Sequence, residues 1–300
     1  ILGGGAETGE RDADVRDLLH AYNLIRWDAE YGMFTTDPSV VSGVAGTVNE
    51  NGDHTYIMVL YDDLFYSDGT KITAWDYAFS YLFSISSVLS DLGAAPLRRE
   101  QIAGYRDYME DRGPLTGVRV LTEDTISVTL NHEYLPFFYE MGLLSCNPYP
   151  ISVIAPGVTV KDDGQGVYLA NIDETITEPL FTDDLLRSTI LDPEHGYLSH
   201  PSVVSGPYTI TSWDGVVAEF ELNPFYKGNS RGEKPSIQHL TYTTANIDTM
   251  MDELEEREYD LLNKVMRVDK IAQGIGKVGE GIRMSNYPRL GLSYISFSCE

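Results

Sequence analysis

Two spacings of apolar residues organise this chain. A period of two runs through Thr125–Leu130, where Ile126, Val128 and Leu130 share one face and Thr125, Ser127 and Thr129 the other. That alternation predicts a half-buried strand, and Val118–Leu121, joined to it by Thr-Glu-Asp, completes a hairpin. Tyr208–Trp213 and Val217–Leu222 repeat the arrangement around Asp214-Gly215. Thr55–Leu64 is rich in β-branched, aromatic and aliphatic residues and predicts a strand, as does Ile237–Thr243. The helical spacing appears at Ile247, Met250, Met251 and Leu254, which make one apolar face. Trp75–Val88 predicts a helix with a broad aromatic face, and Arg98–Gly113 is helical in part. Tyr134–Leu144 predicts an apolar helical segment with Pro136 near its start, and Leu261–Gln273 a further helix.

Local chemistry sharpens one stretch, Tyr66–Tyr81. Asp68-Gly69 is turn chemistry, because Gly accepts positive φ and Asp bonds its own turn backbone. Thr73-Ala-Trp-Asp76 then matches a capping box, so a turn, a short extended piece and a capped helix are expected. Residues 1–17 are Gly-rich and charged, and Leu18–Trp27 supplies the first apolar run. Between 156 and 200, Gly, Pro and the pairs Asp162-Asp163 and Asp183-Asp184 break the rhythm. That stretch predicts a long surface excursion with a short helical piece around Thr182–Ile190. Strands and helices follow one another without strict alternation, which argues an α/β or α+β protein whose chain forms two units.

With 300 residues, 42% of them apolar and 20 of them Tyr, the chain can bury a sizeable core. Its formal net charge of −25 argues against nucleic acid, whose phosphates need clustered Lys and Arg. The acidity reads as a solvated surface that keeps a secreted or cell-surface protein soluble. The two cysteines, Cys146 and Cys299, form no disulfide framework and no zinc site, and the sequence leaves open whether they pair. No run approaches the roughly 20 apolar residues of a membrane span. The start Ile1-Leu-Gly-Gly-Gly reads as excised or processed, without a signal peptide.

Motifs of catalysis do not assemble. Gly274-Ile-Gly-Lys-Val-Gly279 has dinucleotide-site lettering, but a helical pattern precedes it where a strand is required, and a loop is expected. His132-Glu133 lacks the second His of a zinc helix, because Pro136 stands in its place. Asp162-Asp163-Gly-Gln-Gly does not have calcium-loop spacing. No catalytic residue, metal ligand or cofactor is expected.

Three blocks in order carry a family resemblance. They are Ser67-Asp-Gly through Asp76, then Ile102-Ala-Gly-Tyr with Gly117–Leu130, then Ser205-Gly-Pro-Tyr208 with Trp213, Asn223-Pro-Phe-Tyr226 and Glu258-Tyr-Asp260. Together the chain resembles the family 5 extracellular solute-binding proteins of ABC importers, the oligopeptide and dipeptide binders. The last block departs modestly, with Glu-Tyr-Asp where the family has Gly-Glu-Ile-Asp. The likeness covers most of residues 20–298, and 156–200 is a long departure.

The resemblance implies a two-lobed periplasmic-binding-protein-like α/β fold (type II, cluster C), with lobe two incomplete. Residues 1–204 would be lobe one, 205–208 the hinge crossover and 209–300 the first part of lobe two. The chain would then be a fragment, ending at Tyr294–Cys299 where a central strand of lobe two appears. The implied function is that of an extracellular receptor, without catalysis, binding oligopeptides between lobes and handing them to the permease subunits of an ABC importer. Such receptors are monomers, periplasmic or held at the cell surface by a lipid anchor that this chain lacks. The implied ligand-binding residues are Tyr22 and Asn23, which replace the family's usual Glu-Gly pair, and Tyr208. Gly206 and Pro207 read as a strand-entry turn beside the hinge, and Asp68, Gly69, Thr73 and Asp76 as scaffold. The alternatives are the same scaffold with a nickel chelate, haem or oligosaccharide, or a secreted hydrolase using acids such as Asp183 and Asp184.

Overall fold

The computed structural model describes residues 10–94, 96–279 and 281–286. Its backbone divides into two compact units between Tyr242 and Thr243. Helix α1 (Glu10–Leu19) opens the first unit, followed by the antiparallel pair β1 (Ile25–Asp28) and β2 (Met33–Thr36). Strands β3 (Val41–Val48) and β4 (His54–Leu60) lead into helix α2 (Ala74–Ile85). Then β5 (Val118–Thr122) and β6 (Thr125–Leu130) complete an antiparallel sheet in the order β3-β4-β6-β5. The expected hairpin is present, with Val118 opposite Val128 and Val120 opposite Ile126. Ile126, Val128 and Leu130 are buried, and from β4 the Thr55 hydroxyl meets that of Thr129 at 2.8 Å. The strand expected over Thr55–Leu64 ends at Leu60, because Asp62-Asp63 forms a turn.

Helix α2 is the centre of the main core, with Tyr77, Phe79, Tyr81 and Leu82 fully buried. At its start Asp76 accepts bonds from the Thr73 N–H (2.8 Å) and hydroxyl (2.9 Å). It ends at Ile85, short of Val88, because Ser86 turns extended and its hydroxyl accepts from the Val88 N–H at 3.2 Å. The Tyr134–Leu144 segment is not a helix but two short 3-10 turns, His132–Tyr134 and Glu140–Leu144. Pro136 accounts for the break, since it offers no N–H and keeps Leu135 extended. Helix α1 and strand β3 are among the elements that were not expected. In α1, Val15, Leu18 and Leu19 are scattered among six charges, and in β3 the glycines 43 and 46 dilute the strand signal.

The 156–200 stretch is a correction of a different kind. It forms the hairpin β7 (Val158–Asp162) and β8 (Val167–Asn171), then the expected helical piece at Asp183–Leu186, continued through Arg187–Leu191. It is no surface excursion, because Val158, Val160, Val167, Leu186, Ile190 and Tyr197 are buried in the main core. Its glycines allow close approach. A Cβ on Gly166 would lie 2.6 Å from the Leu115 carbonyl oxygen.

Strands β9 (Tyr208–Trp213) and β10 (Val217–Leu222) keep the bounds read from the sequence and pair with β11 (His239–Thr243) in the order β11-β10-β9. Leu19, Val204, Tyr208, Ala218 and Phe220 form a second, smaller core there. The second unit holds the helices Met250–Glu255 and Val268–Gly276, the latter starting seven residues after the expected Leu261. Gly274 and Gly276 sit in its last turns, so the Gly274–Gly279 lettering marks a helix end where a loop was expected. The chain start, Tyr294–Cys299 and with it Cys299 lie outside the described residues.

Candidate functional site

Within the first unit, α1, the segment after it, the second half of α2, Arg99 and residues 145–149 converge on a cavity of about 990 Å³. That is the size of a small-ligand site. His20 lies where α1 ends, its N–H reaching the Arg16 carbonyl at 2.7 Å. Its ring is 3% exposed, with Tyr149 at 5.1 Å and Tyr197 at 5.9 Å between centroids. Neither ring nitrogen has a hydrogen-bond partner among the described residues. Burial, helped by the positive charge of Arg16, pulls its pKa down to about 3 and keeps the ring neutral at neutral pH.

Tyr22 and Asn23 both line this cavity. Tyr22 takes a left-handed backbone (φ 62°), a conformation unusual for a bulky residue. Its carbonyl accepts from the Tyr77 hydroxyl at 2.7 Å, its own hydroxyl accepts from the Lys227 N–H at 2.7 Å, and its ring stacks on Tyr226 at 5.5 Å. Burial raises its phenol to about 12, against the opposing Lys227 bond. Asn23 Oδ1 accepts from the Ile25 N–H (2.9 Å) and Cys146 N–H (3.2 Å), and Nδ2 donates to Ser145 Oγ (3.0 Å) and Asn147 Oδ1. Its amide is therefore spent on pinning residues 145–147 to the wall. Tyr208 is not brought to the cavity. It packs in the second core, and its hydroxyl donates to the Ile237 carbonyl at 3.0 Å.

Three arginines also line the cavity, and the sequence pattern does not single them out. Arg99 lies over the Tyr81 ring at 4.9 Å and donates through Nη2 to the Ser145 carbonyl at 3.1 Å. Arg26 pairs with Asp28 at 2.9 Å. In both, the buried Nε has no partner among the described residues. Arg16 makes no ion pair or side-chain hydrogen bond among them. Cys146 beside Asn23 is a free thiol pushed up to about 12 by burial, with Arg99 opposing, and so is inert.

The model of the bacterial extracellular solute-binding proteins, family 5 (middle), matches residues 39–300. The chain belongs to this family. It is 26% identical over 277 residues to the periplasmic oligopeptide-binding protein OppA of Escherichia coli K12, covering 90% of this chain and 44% of that protein. The structure of Listeria monocytogenes OppA bound to peptide matches with a TM-score of 0.59 at 13% identity, over 90% of this chain and 45% of that one. Lactococcal OppA, complexed with an endogenous peptide in the closed conformation, matches at 0.60 and 18% identity, over 91% of this chain and 44% of that one. At these identities the structures establish the shared fold. The chain spans less than half the length of the curated relatives it matches.

In this chain the family motifs meet one another as scaffold. The Ser67 N–H donates to the Val204 carbonyl at 2.8 Å, and Gly69 leaves room for the Phe225 ring, 3.2 Å from where a Cβ would stand. Asn223 Nδ2 donates to the Gly206 carbonyl at 2.8 Å. Residues 205–206 run against 19–21, with Ser205 Oγ accepting from the Ala21 N–H at 3.1 Å and the Gly206 N–H reaching the Leu19 carbonyl at 2.7 Å. Gly206 is required there for space. A Cβ would lie 2.3 Å from the Leu18 carbonyl oxygen. Three acids of the 156–200 stretch are likewise engaged within the fold. Asp162 holds Arg119, Asp163 closes its own turn, and Asp183 opens a helix whose Thr182 hydroxyl accepts from the Leu185 N–H.

Proposed function

We propose that the intact protein is the substrate-binding component of an ABC importer, and that this cavity is part of an oligopeptide site. The observation that carries the reading is the cavity itself. It is walled by Tyr and Trp rings and side-chain amides and holds polar groups without internal partners, in a chain belonging to the family 5 binders. Relatives named as oligopeptide-binding proteins support the ligand class. An extended peptide needs such a surface, with apolar walls for side chains and polar groups for its amides. In this reading Tyr22 and Asn23 form the ligand-facing wall, while Tyr208 secures the crossing of 205–206 over 19–21. Residues 1–204 serve as lobe one, 205–208 as the crossover and 209–300 as the first part of lobe two.

The protein is then a receptor without catalysis, delivering its ligand to the permease as a monomer. It sits outside the cytoplasmic membrane, in the periplasm or on a lipid anchor. No helix among the described residues is long and apolar enough to cross a membrane. Titration calorimetry of the intact protein with di- to hexapeptides is expected to give saturable heat with at least one length. No heat with any of them would sink the reading.

A further inference from the structure

Tyr22 holds a backbone conformation that its own side chain opposes. Four non-glycine residues among those described have positive φ, and Tyr22 alone of them is buried. At φ 62° a bulky residue crowds its own Cβ against the following carbonyl, so the conformation persists only where neighbours fix it. The residues on either side are tied elsewhere. Ala21 is bonded through its N–H and carbonyl to Ser205 Oγ, both at 3.1 Å, and Asn23 pins residues 145–147. A change of φ at Tyr22 would therefore shift two stretches of the cavity wall against each other.

The Tyr77 hydroxyl holds the Tyr22 carbonyl, and the rest of the clamp comes from the turn at 223–227, the Asn-Pro-Phe-Tyr stretch of the sequence. Tyr226 lines the cavity and stacks on the Tyr22 ring at 5.5 Å, and the Lys227 N–H donates to the Tyr22 hydroxyl at 2.7 Å. This turn has anchors of its own. The Asn223 N–H donates to the Pro207 carbonyl at 2.9 Å, and Phe225 lies against Gly69. The Lys227 ammonium sits over the Tyr61 ring at 3.7 Å, beside Asp63. On the peptide reading above, we propose that Tyr226 and Lys227 are positioning residues of the site, holding Tyr22 left-handed and so setting Ala21 and Asn23 for the ligand. The Asn-Pro-Phe-Tyr stretch thus shapes a wall built from the start of the chain as well as its own hairpin. Without the clamp the binding-competent wall becomes a minor conformer, and apparent affinity falls with its population.

Titration calorimetry of the intact protein with alanine peptides of two to six residues tests this, the tightest for the wild type serving as probe. Tyr226→Leu removes the ring stack and is expected to weaken binding about 10-fold, and Tyr226→Phe to restore it. Tyr22→Asn and Tyr22→Val test the backbone directly and serve where Tyr226→Leu does not fold. Both lose the same ring and hydroxyl, but Asn accepts positive φ and the β-branched Val does not. The Val variant is therefore expected to bind about 10-fold more weakly than the Asn variant. In the Tyr22→Asn background Tyr226→Leu is expected to cost nothing further, whereas direct ligand contact or a purely structural turn would cost the same in both backgrounds. Equal binding by the Asn and Val variants, or an equal cost of Tyr226→Leu in both backgrounds, overturns the inference and leaves the peptide reading standing. No heat from the wild type with any of these peptides overturns both.

Discussion

Asp76 shows how one buried residue sets a pH response. Burial raises its carboxyl to about 6, although bonds from the Thr73 N–H and hydroxyl and the Tyr66 hydroxyl oppose the rise. In the unfolded chain an Asp titrates near 3.8. The folded state therefore holds this proton more tightly, and the associated stability is fully present below the unfolded pKa. It is lost as pH rises toward 6, by about 3 kcal/mol for a two-unit shift. Asp76→Asn keeps an acceptor for the Thr73 N–H and cannot ionise. Its stability relative to wild type is expected to grow between pH 4 and 6.5 in urea unfolding; a constant difference would contradict the assignment. Gly206 acts by volume instead. Gly206→Ala must push back the Leu18–Leu19 backbone, and a loss of about 2–3 kcal/mol, read as a lower thermal midpoint, is expected.

Between elements, Asp162 at the end of β7 ties the β7–β8 hairpin to β5. Its carboxylate accepts from Arg119 Nε at 2.8 Å, the Val120 N–H at 2.9 Å and the Gly164 N–H at 2.9 Å. Burial alone would raise its pKa, but those bonds outweigh it and hold the carboxyl below the usual carboxylate range. Its stabilisation is thus present above the unfolded pKa and is lost as pH falls through the folded one. Asp162→Ala strands a half-buried guanidinium and two N–H groups. It is expected to cost about 3 kcal/mol, with the denaturant midpoint falling and the fold retained, and a neutral effect would show that the hairpin is held by its apolar face alone. The hairpins β5–β6 and β9–β10 were legible because alternating apolar residues and an Asp-bearing turn specify them locally. Helix α1 and strand β3 were not, since tertiary contacts through Val15, Leu18 and Leu19 hold one and pairing with β4 the other. The Tyr134–Leu144 segment misled through its apolar composition, which Pro136 overrides.

At the scale of the molecule, the family could be read from three local motifs, whereas the cavity could not. Tyr22 and Asn23 were within reach only through the resemblance, as the pair standing where the family usually has Glu-Gly. Arg16, Arg26 and Arg99 come from separate segments, and their meeting in one wall, with Nε of Arg26 and of Arg99 unpaired among the described residues, is a property of tertiary packing that no spacing encodes. The same limit explains the 156–200 stretch, where Gly, Pro and paired acids suggested a loop outside the body of the protein. Those polar residues cap and turn the chain, and the apolar ones between them enter the core beside α2. A substitution separates the two views. Leu186 is fully buried, and removing its side chain from a shared core leaves a cavity worth about 2–5 kcal/mol. On a surface excursion the same change would fall within about 0.5 kcal/mol. Leu186→Ala is therefore expected to lower the urea midpoint of the whole cooperative transition. A separate early transition that leaves the main one in place would mean that this stretch folds as an appendage.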